Sequence, residues 1–276
     1  MDLNTIETVL RPRSRSELPA FQAGDACLAG GTWLFSEPQP ETRRLVDLSG
    51  LGWPAHAIGP DGLTLAATCT FAQLDRLALP SHWTAAPLIA QCCRALLGSF
   101  KIWNTATVGG NLCLALPAGP MIALAVALEA RCAIWSIDGA ERNLPAADFV
   151  IGPQQNALRP GDILRSLLVP AEALVRRTAF RRISLSPAGR SGALLIGTQD
   201  AHGALALTVT AAIRRPVRLT FDAPPDDTTL ARALAAAIPD ALYHDDVHGR
   251  PDWRRHVTGL LAREIRDALQ EDGRCM

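Results

Sequence analysis

Residues 121–130 predict a short helix that is apolar on nearly every side, interrupted only by Glu129. A helix of that kind cannot lie on a surface, because it has no polar face to give to water, so it must be enclosed by the rest of the fold. Whatever leads into it is therefore anchored on rigid structure. Ahead of it, past Pro117-Ala118-Gly119-Pro120, stands Thr105-Ala106-Thr107-Val108-Gly109-Gly110-Asn111, and a smaller echo stands upstream at Ala29-Gly30-Gly31-Thr32. Glycine carries no Cβ to block an approach, so each stretch can bring bare backbone N–H groups against an anion such as phosphate. A single Gly-Gly doublet is more simply a turn. Two of them, each preceded by apolar sequence and followed by a polar residue (Thr32, Asn111), predict a pair of loops gripping one pyrophosphate.

The length of 276 residues exceeds what one hydrophobic core usually serves, so two domains are expected, with one of them subdivided. The 27 basic residues balance 27 acidic ones, which argues against nucleic acid as a ligand, since backbone binding needs a basic excess. The longest apolar run stops at Glu129, well short of the roughly 20 residues of a membrane span. The opening Met1-Asp2-Leu3-Asn4 has no basic segment leading into an apolar core, and a cytoplasmic protein is expected. Cysteines at 27, 69, 92, 93, 113, 132 and 275 form no C-x-x-C pair and no zinc or iron–sulfur spacing, so they read as reduced thiols.

Along the chain, Arg11, Arg13 and Arg15 fall in a Pro/Ser-rich run that reads as a solvated loop. A short helix is expected over 16–21, a buried strand over 27–29 and a second strand over 44–48. Pro60-Asp61-Gly62 marks a hairpin. Thr70 is placed to cap a helix over 71–77, and Leu88/Ile89, Cys92/Cys93 and Leu96/Leu97 repeat at helical spacing over 87–97, with Pro87 in the first turn. Asp138-Gly139 turns a second hairpin, and a strand over 163–169 closes the unit. Strands then follow over 179–185, 193–196, 204–211 and 217–221, and helices over 228–238 and 253–269. In the last helix Trp253, Val257, Leu260, Leu261 and Ile265 form an apolar stripe.

Templates for covalent or metal catalysis are missing: no G-x-S-x-G elbow, no H-E-x-x-H, no Walker A and no G-x-G-x-x-G opening a helix. His244-Asp245-Asp246-Val247-His248 has metal-binding residue types, but consecutive loop carboxylates more often meet water or cap a helix. No catalytic residue and no metal ligand is assigned.

Ala29-Gly30-Gly31-Thr32, Leu45-Val46-Asp47-Leu48, Asp61-Gly62-Leu63, Thr107-Val108-Gly109-Gly110-Asn111-Leu112, Leu144-Pro145, Asp148-Phe149 and Gly152-Pro153 follow one another in the order of one family. The chain resembles the FAD-binding (medium) subunit of molybdenum hydroxylases, the group that holds xanthine dehydrogenase and aerobic carbon monoxide dehydrogenase. Tyr243 to Gly249 and Trp253-Arg254-Arg255 resemble that family's C-terminal domain. The resemblance implies an α+β fold: a vanillyl-alcohol-oxidase-type FAD-binding domain over 1–170, with subdomains of about 1–55 and 56–170, and a C-terminal α+β domain over 171–276 made of a small antiparallel sheet with helices. It implies that Leu28, Ala29, Gly30, Gly31 and Thr32 in one loop, and Thr107, Gly109, Gly110 and Asn111 in the other, hold FAD. Arg181 matches a basic position beside the flavin, and the histidine and aspartate cluster becomes a structural turn. It implies an electron relay as well. Substrate is oxidised at a molybdopterin-bearing large subunit, electrons cross [2Fe-2S] clusters in a small subunit, and FAD here passes them to NAD⁺, oxygen or a quinone. A diverged structural paralogue with weak or no FAD binding, and a stand-alone flavin oxidase, are the competing readings.

Three positions depart from the family pattern. Trp33 stands where a polar residue usually follows the first loop, Trp103 where an arginine usually precedes Asn104, and Pro120 where an aspartate commonly holds the ribose. Proline can neither accept that hydrogen bond nor donate from its nitrogen. One lost buried hydrogen bond costs about 1–3 kcal/mol, on the order of ten- to a hundredfold in affinity. The family's Asp-Ile-Ala near the flavin is absent around 187–191.

Overall fold

The computed structural model describes residues 3–272, and Cys275 lies outside them. The chain begins with strands β1 (Thr8–Leu10), β2 (Asp25–Leu28) and β3 (Arg44–Asp47), then the hairpin β4 (His56–Gly59) and β5 (Gly62–Ala66). Five helices follow: α1 (Phe71–Asp75), α2 (Ala86–Ala95), α3 (Phe100–Trp103), α4 (Val108–Leu114) and α5 (Pro120–Ala127). Next come β6 (Arg131–Trp135), β7 (Glu141–Pro145), α6 (Ala146–Phe149), β8 (Val150–Gly152), β9 (Gln155–Asn156), β10 (Ile163–Pro170) and α7 (Ala171–Leu174). The remainder is β11 (Arg177–Ile183), β12 (Ala193–Gln199), β13 (Leu205–Thr210), β14 (Val217–Phe221), α8 (Asp227–Ala237) and α9 (Pro251–Asp272). The α+β class expected from the sequence is the one observed.

Three main sheets organise these elements. β1, β3 and β2 pair in parallel in that order, β4-β5-β10-β6-β7 form an antiparallel sheet, and β11 to β14 form an antiparallel meander. The first two sheets are stitched by stacked side chains. Trp53 and Trp135 meet edge to face at 5.3 Å, the Arg165 guanidinium of β10 lies 4.3 Å from the Trp53 ring, and Arg15 lies 4.9 Å from Trp135. Partly desolvated cation–π contacts of this kind contribute about 1–2 kcal/mol each. Arg15 also donates to the carbonyl of Ala140 at 2.7 Å.

All eight residues of α5 are buried. One side packs on α2 and α4, the other on β12 and β13. This explains β12, whose seven residues are all buried. Leu194 and Ile196 join the core around α5, whereas Ala193 and Leu195 join a second core with Leu230 and Leu234 of α8 and Val257, Leu261 and Ile265 of α9. A strand covered on both faces reads as a continuous apolar run instead of an alternating one. Just past the C-terminal end of α5, Glu129 takes hydrogen bonds from Arg176 and Arg218, which ties this helix to the ends of the meander. In α2, Cys92 and Cys93 are buried, and burial pushes the Cys93 thiol up to about 12, so it packs as an inert hydrophobe.

Several local expectations give way to tertiary context. The helix over 16–21 is only a single 3₁₀ turn at Arg15–Glu17, and Arg15 leaves solvent for the Trp135 face. The strand expected as buried over 27–29 is Asp25–Leu28, with Cys27 exposed, because it borders an open cleft. Residues 108–111, read as a loop, form the first turn of α4, capped by Thr107. Leu260 of the predicted stripe is 39% exposed, one step off the buried face. Thr70 caps α1 as expected, in a reciprocal arrangement with Gln73.

Leu124, 2% exposed in the middle of α5, belongs to the core built around that helix. Leu124→Ala is expected to lower the unfolding free energy by about 3 kcal/mol, read as a lower urea midpoint at unchanged slope. Acid is expected to act through two partly buried ion pairs. The Arg44 side chain bonded to Asp25 holds that carboxyl below its usual range. Burial pushes Asp162 the other way, but hydrogen bonds from the Arg159 amide, the Arg142 side chain and the Ile137 amide prevail and leave it lowered too. A carboxyl lowered in the fold stabilises fully above its unfolded value of about 4 and loses that contribution as pH falls through the folded one. Thermal midpoints recorded below pH 4 should therefore fall less steeply for Asp162→Asn, itself less stable at pH 7, than for the parent chain.

Candidate functional site

The two Gly-Gly doublets, 79 positions apart in sequence, meet in the fold. A Cβ built on Gly30 would lie 2.0 Å from the Thr105 carbonyl oxygen and 3.1 Å from the Ala106 Cα, so any side chain there would push the two segments apart. Gly31 has φ +70°, a left-handed conformation, and a Cβ there would strike the Phe35 ring at 2.4 Å. Together the segments line a cleft of about 710 Å³, within the usual range of ligand pockets. Ala29, Gly30, Gly31, Thr32, Thr107, Gly110 and Asn111 all border it. Leu28 and Gly109 do not. Gly109 is buried, and a Cβ on it would lie 2.7 Å from the Ala67 Cα, so its role is to let α4 settle on the end of β5.

The two stretches differ in what they offer a ligand. In the second, the amides of Val108 and Gly109 donate to the carbonyls of Cys69 and Ala67, both at 2.8 Å. The Gly110 amide donates to Thr107 Oγ1 at 3.0 Å, and the Asn111 amide to the Thr107 carbonyl at 3.0 Å. Helix capping has used the whole first turn, and only the Thr107 amide is left without an acceptor among the described residues. In the first stretch, no acceptor among the described residues takes the amides of Gly30, Gly31, Thr32, Trp33 or Leu34. The expectation of two amide cradles is corrected in this respect. The donor row belongs to residues 30–34, and the second stretch supplies a wall. Consecutive free amides in a turn make an anion-binding concavity, because each partial positive charge faces the same space.

Asn111 has a different task. Its Oδ1 accepts the Met121 amide at 3.0 Å and so fixes the start of α5, which places Pro120 on the cleft. Trp33, Leu96, Leu97 and Ile102 add apolar surface, suited to planar rings. Trp103 is turned away by packing, its indole N–H donating to the Leu96 carbonyl at 3.1 Å. Arg181 is on β11, where its Nε lies 3.2 Å from Glu264 of α9, and it does not border the cleft.

Sequence reasoning missed Ala188, Arg190 and His248, which form a third wall. The signal for them was indirect: Gly192 and Gly249 flank these segments and both press on Trp253, where added Cβ atoms would lie 2.5 and 2.7 Å from the ring. The 244–248 segment is organised by Arg254, which pairs with Asp246, while Asp246 lies 3.3 Å from His244 Nε2. Burial lowers His244, so its ring is neutral near pH 7. No helix among the described residues is long and apolar enough to cross a membrane.

The cleft thus offers a donor row for an anion and apolar surface for rings, and comparison with known proteins agrees in kind. Residues 5–172 match the family described as the FAD binding domain in molybdopterin dehydrogenase. Xanthine dehydrogenase of Oryza sativa subsp. japonica is 31% identical over 122 residues, 40% of this chain and 8% of that protein. Caffeine dehydrogenase subunit beta of Pseudomonas sp. (strain CBB1) is 31% identical over 117 residues, 41% of this chain and 39% of that one. The match therefore spans less than half the length of these relatives. Among solved structures, quinoline 2-oxidoreductase from Pseudomonas putida 86 superposes with a TM-score of 0.76 at 20% identity, over 98% of this chain and 99% of that chain. Carbon monoxide dehydrogenase from Hydrogenophaga pseudoflava gives 0.79 at 20% identity over 98% and 99%. At that identity the likeness is one of fold. With more than half of its length matched, the chain belongs to the family of FAD-binding domains of molybdopterin dehydrogenases.

Proposed function

We propose that this chain is the electron-transfer flavoprotein subunit of a cytoplasmic molybdenum-dependent hydroxylase. In this reading it receives electrons from [2Fe-2S] clusters of a small partner subunit and delivers them to NAD⁺, oxygen or a quinone, while a large molybdopterin-bearing subunit binds the substrate. Residues 1–170 form the FAD-binding domain and 171–276 the C-terminal domain. The observation that carries the reading is the run of unclaimed amides at Gly30, Gly31, Thr32, Trp33 and Leu34 on a cleft of suitable size, in a chain of this family. FAD, when bound, supplies the ability to take up single electrons and release a pair.

The chain's own contribution is position and electrostatics. The amides of residues 30–34 and of Thr107 would hold the diphosphate, since they are the cleft-bordering donors without acceptors among the described residues. Thr107 and Gly110 would form the floor, and the Gly30–Thr105 contact holds both sides of the cradle at one separation. Trp33, Leu96 and Leu97 would exclude water from the rings. This division of labour accounts for a cleft without a paired acid and base. A second reading, a paralogue that keeps the fold but binds FAD weakly, is favoured by Trp33 and Pro120, both of which border the cleft where the family pattern has polar groups.

The purified full chain, titrated with FAD, is expected to take up one equivalent and to bleach with dithionite; a colourless chain that ignores added FAD rejects the flavoprotein reading. Gly110 borders the cleft, and an added Cβ would meet only Thr107 Oγ1, at 2.9 Å, so that this capping hydroxyl must shift to admit it. Gly110→Leu should therefore abolish FAD retention while the thermal midpoint moves only a few degrees, and full retention of flavin would refute its place under the ligand. Pro120→Asp restores a ribose acceptor at the start of α5 and is expected to tighten FAD about tenfold. An unchanged dissociation constant counts against the ribose contact.

A further inference from the structure

The third wall of the cleft is held more firmly than loops usually are. Arg254, 1% exposed, donates from Nε to the Gly249 carbonyl at 2.9 Å and from Nη1 to the Gly192 carbonyl at 2.8 Å. Its Nη1 also reaches the Ala211 carbonyl, and its Nη2 pairs with Asp246, whose Oδ1 accepts the His248 amide at 2.8 Å. A buried guanidinium with its donors used in this way is costly to displace, because breaking the set would leave a desolvated charge. One residue thereby ties down the segment two positions after Arg190 and the segment one position after His248. Gly192 and Gly249 complete the clamp by lying flat on Trp253.

Arg190 is the unused charge in this arrangement. It borders the cleft, its surface is exposed, and it makes no hydrogen bond or ion pair with any described residue. The diphosphate of a dinucleotide already has its complement in the amides of residues 30–34, so a full positive charge on another wall is free for a part of the ligand whose charge changes. Reduction of a flavin ring by two electrons and one proton turns a neutral ring into an anion. A guanidinium near it attracts the reduced form and is nearly indifferent to the oxidised one.

We propose that Arg190 contacts the ring end of bound FAD and stabilises its reduced, anionic form over its oxidised form, so that the C-terminal part of the chain sets the flavin potential. The proposal rests on the FAD reading above. It assigns to a residue outside the family's matched segment, 5–172, a role in tuning the cofactor held by that segment.

The test uses the full chain loaded with FAD, compared with Arg190→Met and Arg190→Lys. Midpoint potentials are measured by dithionite titration against reference dyes, and dissociation constants are measured for both oxidation states. Arg190→Met is expected to lose about tenfold more affinity for reduced than for oxidised FAD, which for a two-electron couple lowers the midpoint by about 30 mV. Arg190→Lys, which keeps the charge, should recover most of that shift. An unchanged midpoint in Arg190→Met overturns the proposal, as does an equal loss of affinity for both forms, which would place Arg190 on the diphosphate. A parent chain that takes up no FAD removes the functional reading and this inference together; FAD uptake with a midpoint indifferent to Arg190 removes the inference alone.

Discussion

The architecture depends on the burial of α5 from both sides. Its eight apolar residues have no face for water, so α2 and α4 must cover one side and the meander the other. At one end Pro120 enters the cleft wall, with Asn111 fixing the first free amide of the helix. Beyond the other end Glu129 is bound by Arg176 and Arg218 from the far sheet. The helix is thus a shared core element, and the position of the cleft follows from it. A displacement of the meander would carry Arg190 and His248 away from the glycine segments that face them.

Capping chemistry then decides which glycine segment can serve an anion. A helix must satisfy its first amides, and α4 begins directly above the carbonyls of Ala67 and Cys69, which take two of them. Thr107 takes the third through its side chain and the fourth through its carbonyl. Residues 30–34 open no helix and face no strand, so their amides stay free. The two Gly-Gly doublets therefore do opposite things. In one, Gly30 makes room for the other segment's backbone while leaving donors exposed. In the other, Gly109 makes room for the end of β5, and Gly110 borders the cleft.

The same economy runs through the charged groups. Arg15 and Arg165 spend their charge on tryptophan faces between sheets, Arg181 on Glu264, and Arg254 on carbonyls and Asp246. Each of these looks alike in sequence, as an arginine near apolar residues. Only Arg190 both borders the cleft and lacks a partner among the described residues. In a chain of this family, the chemistry resides in a cofactor, and the protein acts by placing donors and charges around it.

Much was legible in the residues themselves. Periodicity located α2, α5 and α9, the Asp-Gly pairs located both hairpins, and Thr70 announced the start of α1, because these signals depend on neighbours a few positions away. The family was readable from the order in which short, distinct motifs follow one another along the chain. What local sequence could not convey was direction and pairing: whether Gly109 or Gly110 faces the cleft, whether an amide is already taken, and which of many arginines is left alone. Those depend on carbonyls and rings brought together from distant parts of the chain, such as Ala67 beneath α4 or Gly192 and Gly249 around Arg254. The sequence by itself determined the elements, the enclosed helix and the presence of two flexible backbones. Tertiary structure alone decided which of them keeps its donors free, because a hydrogen bond is spent or available only once its partner has arrived.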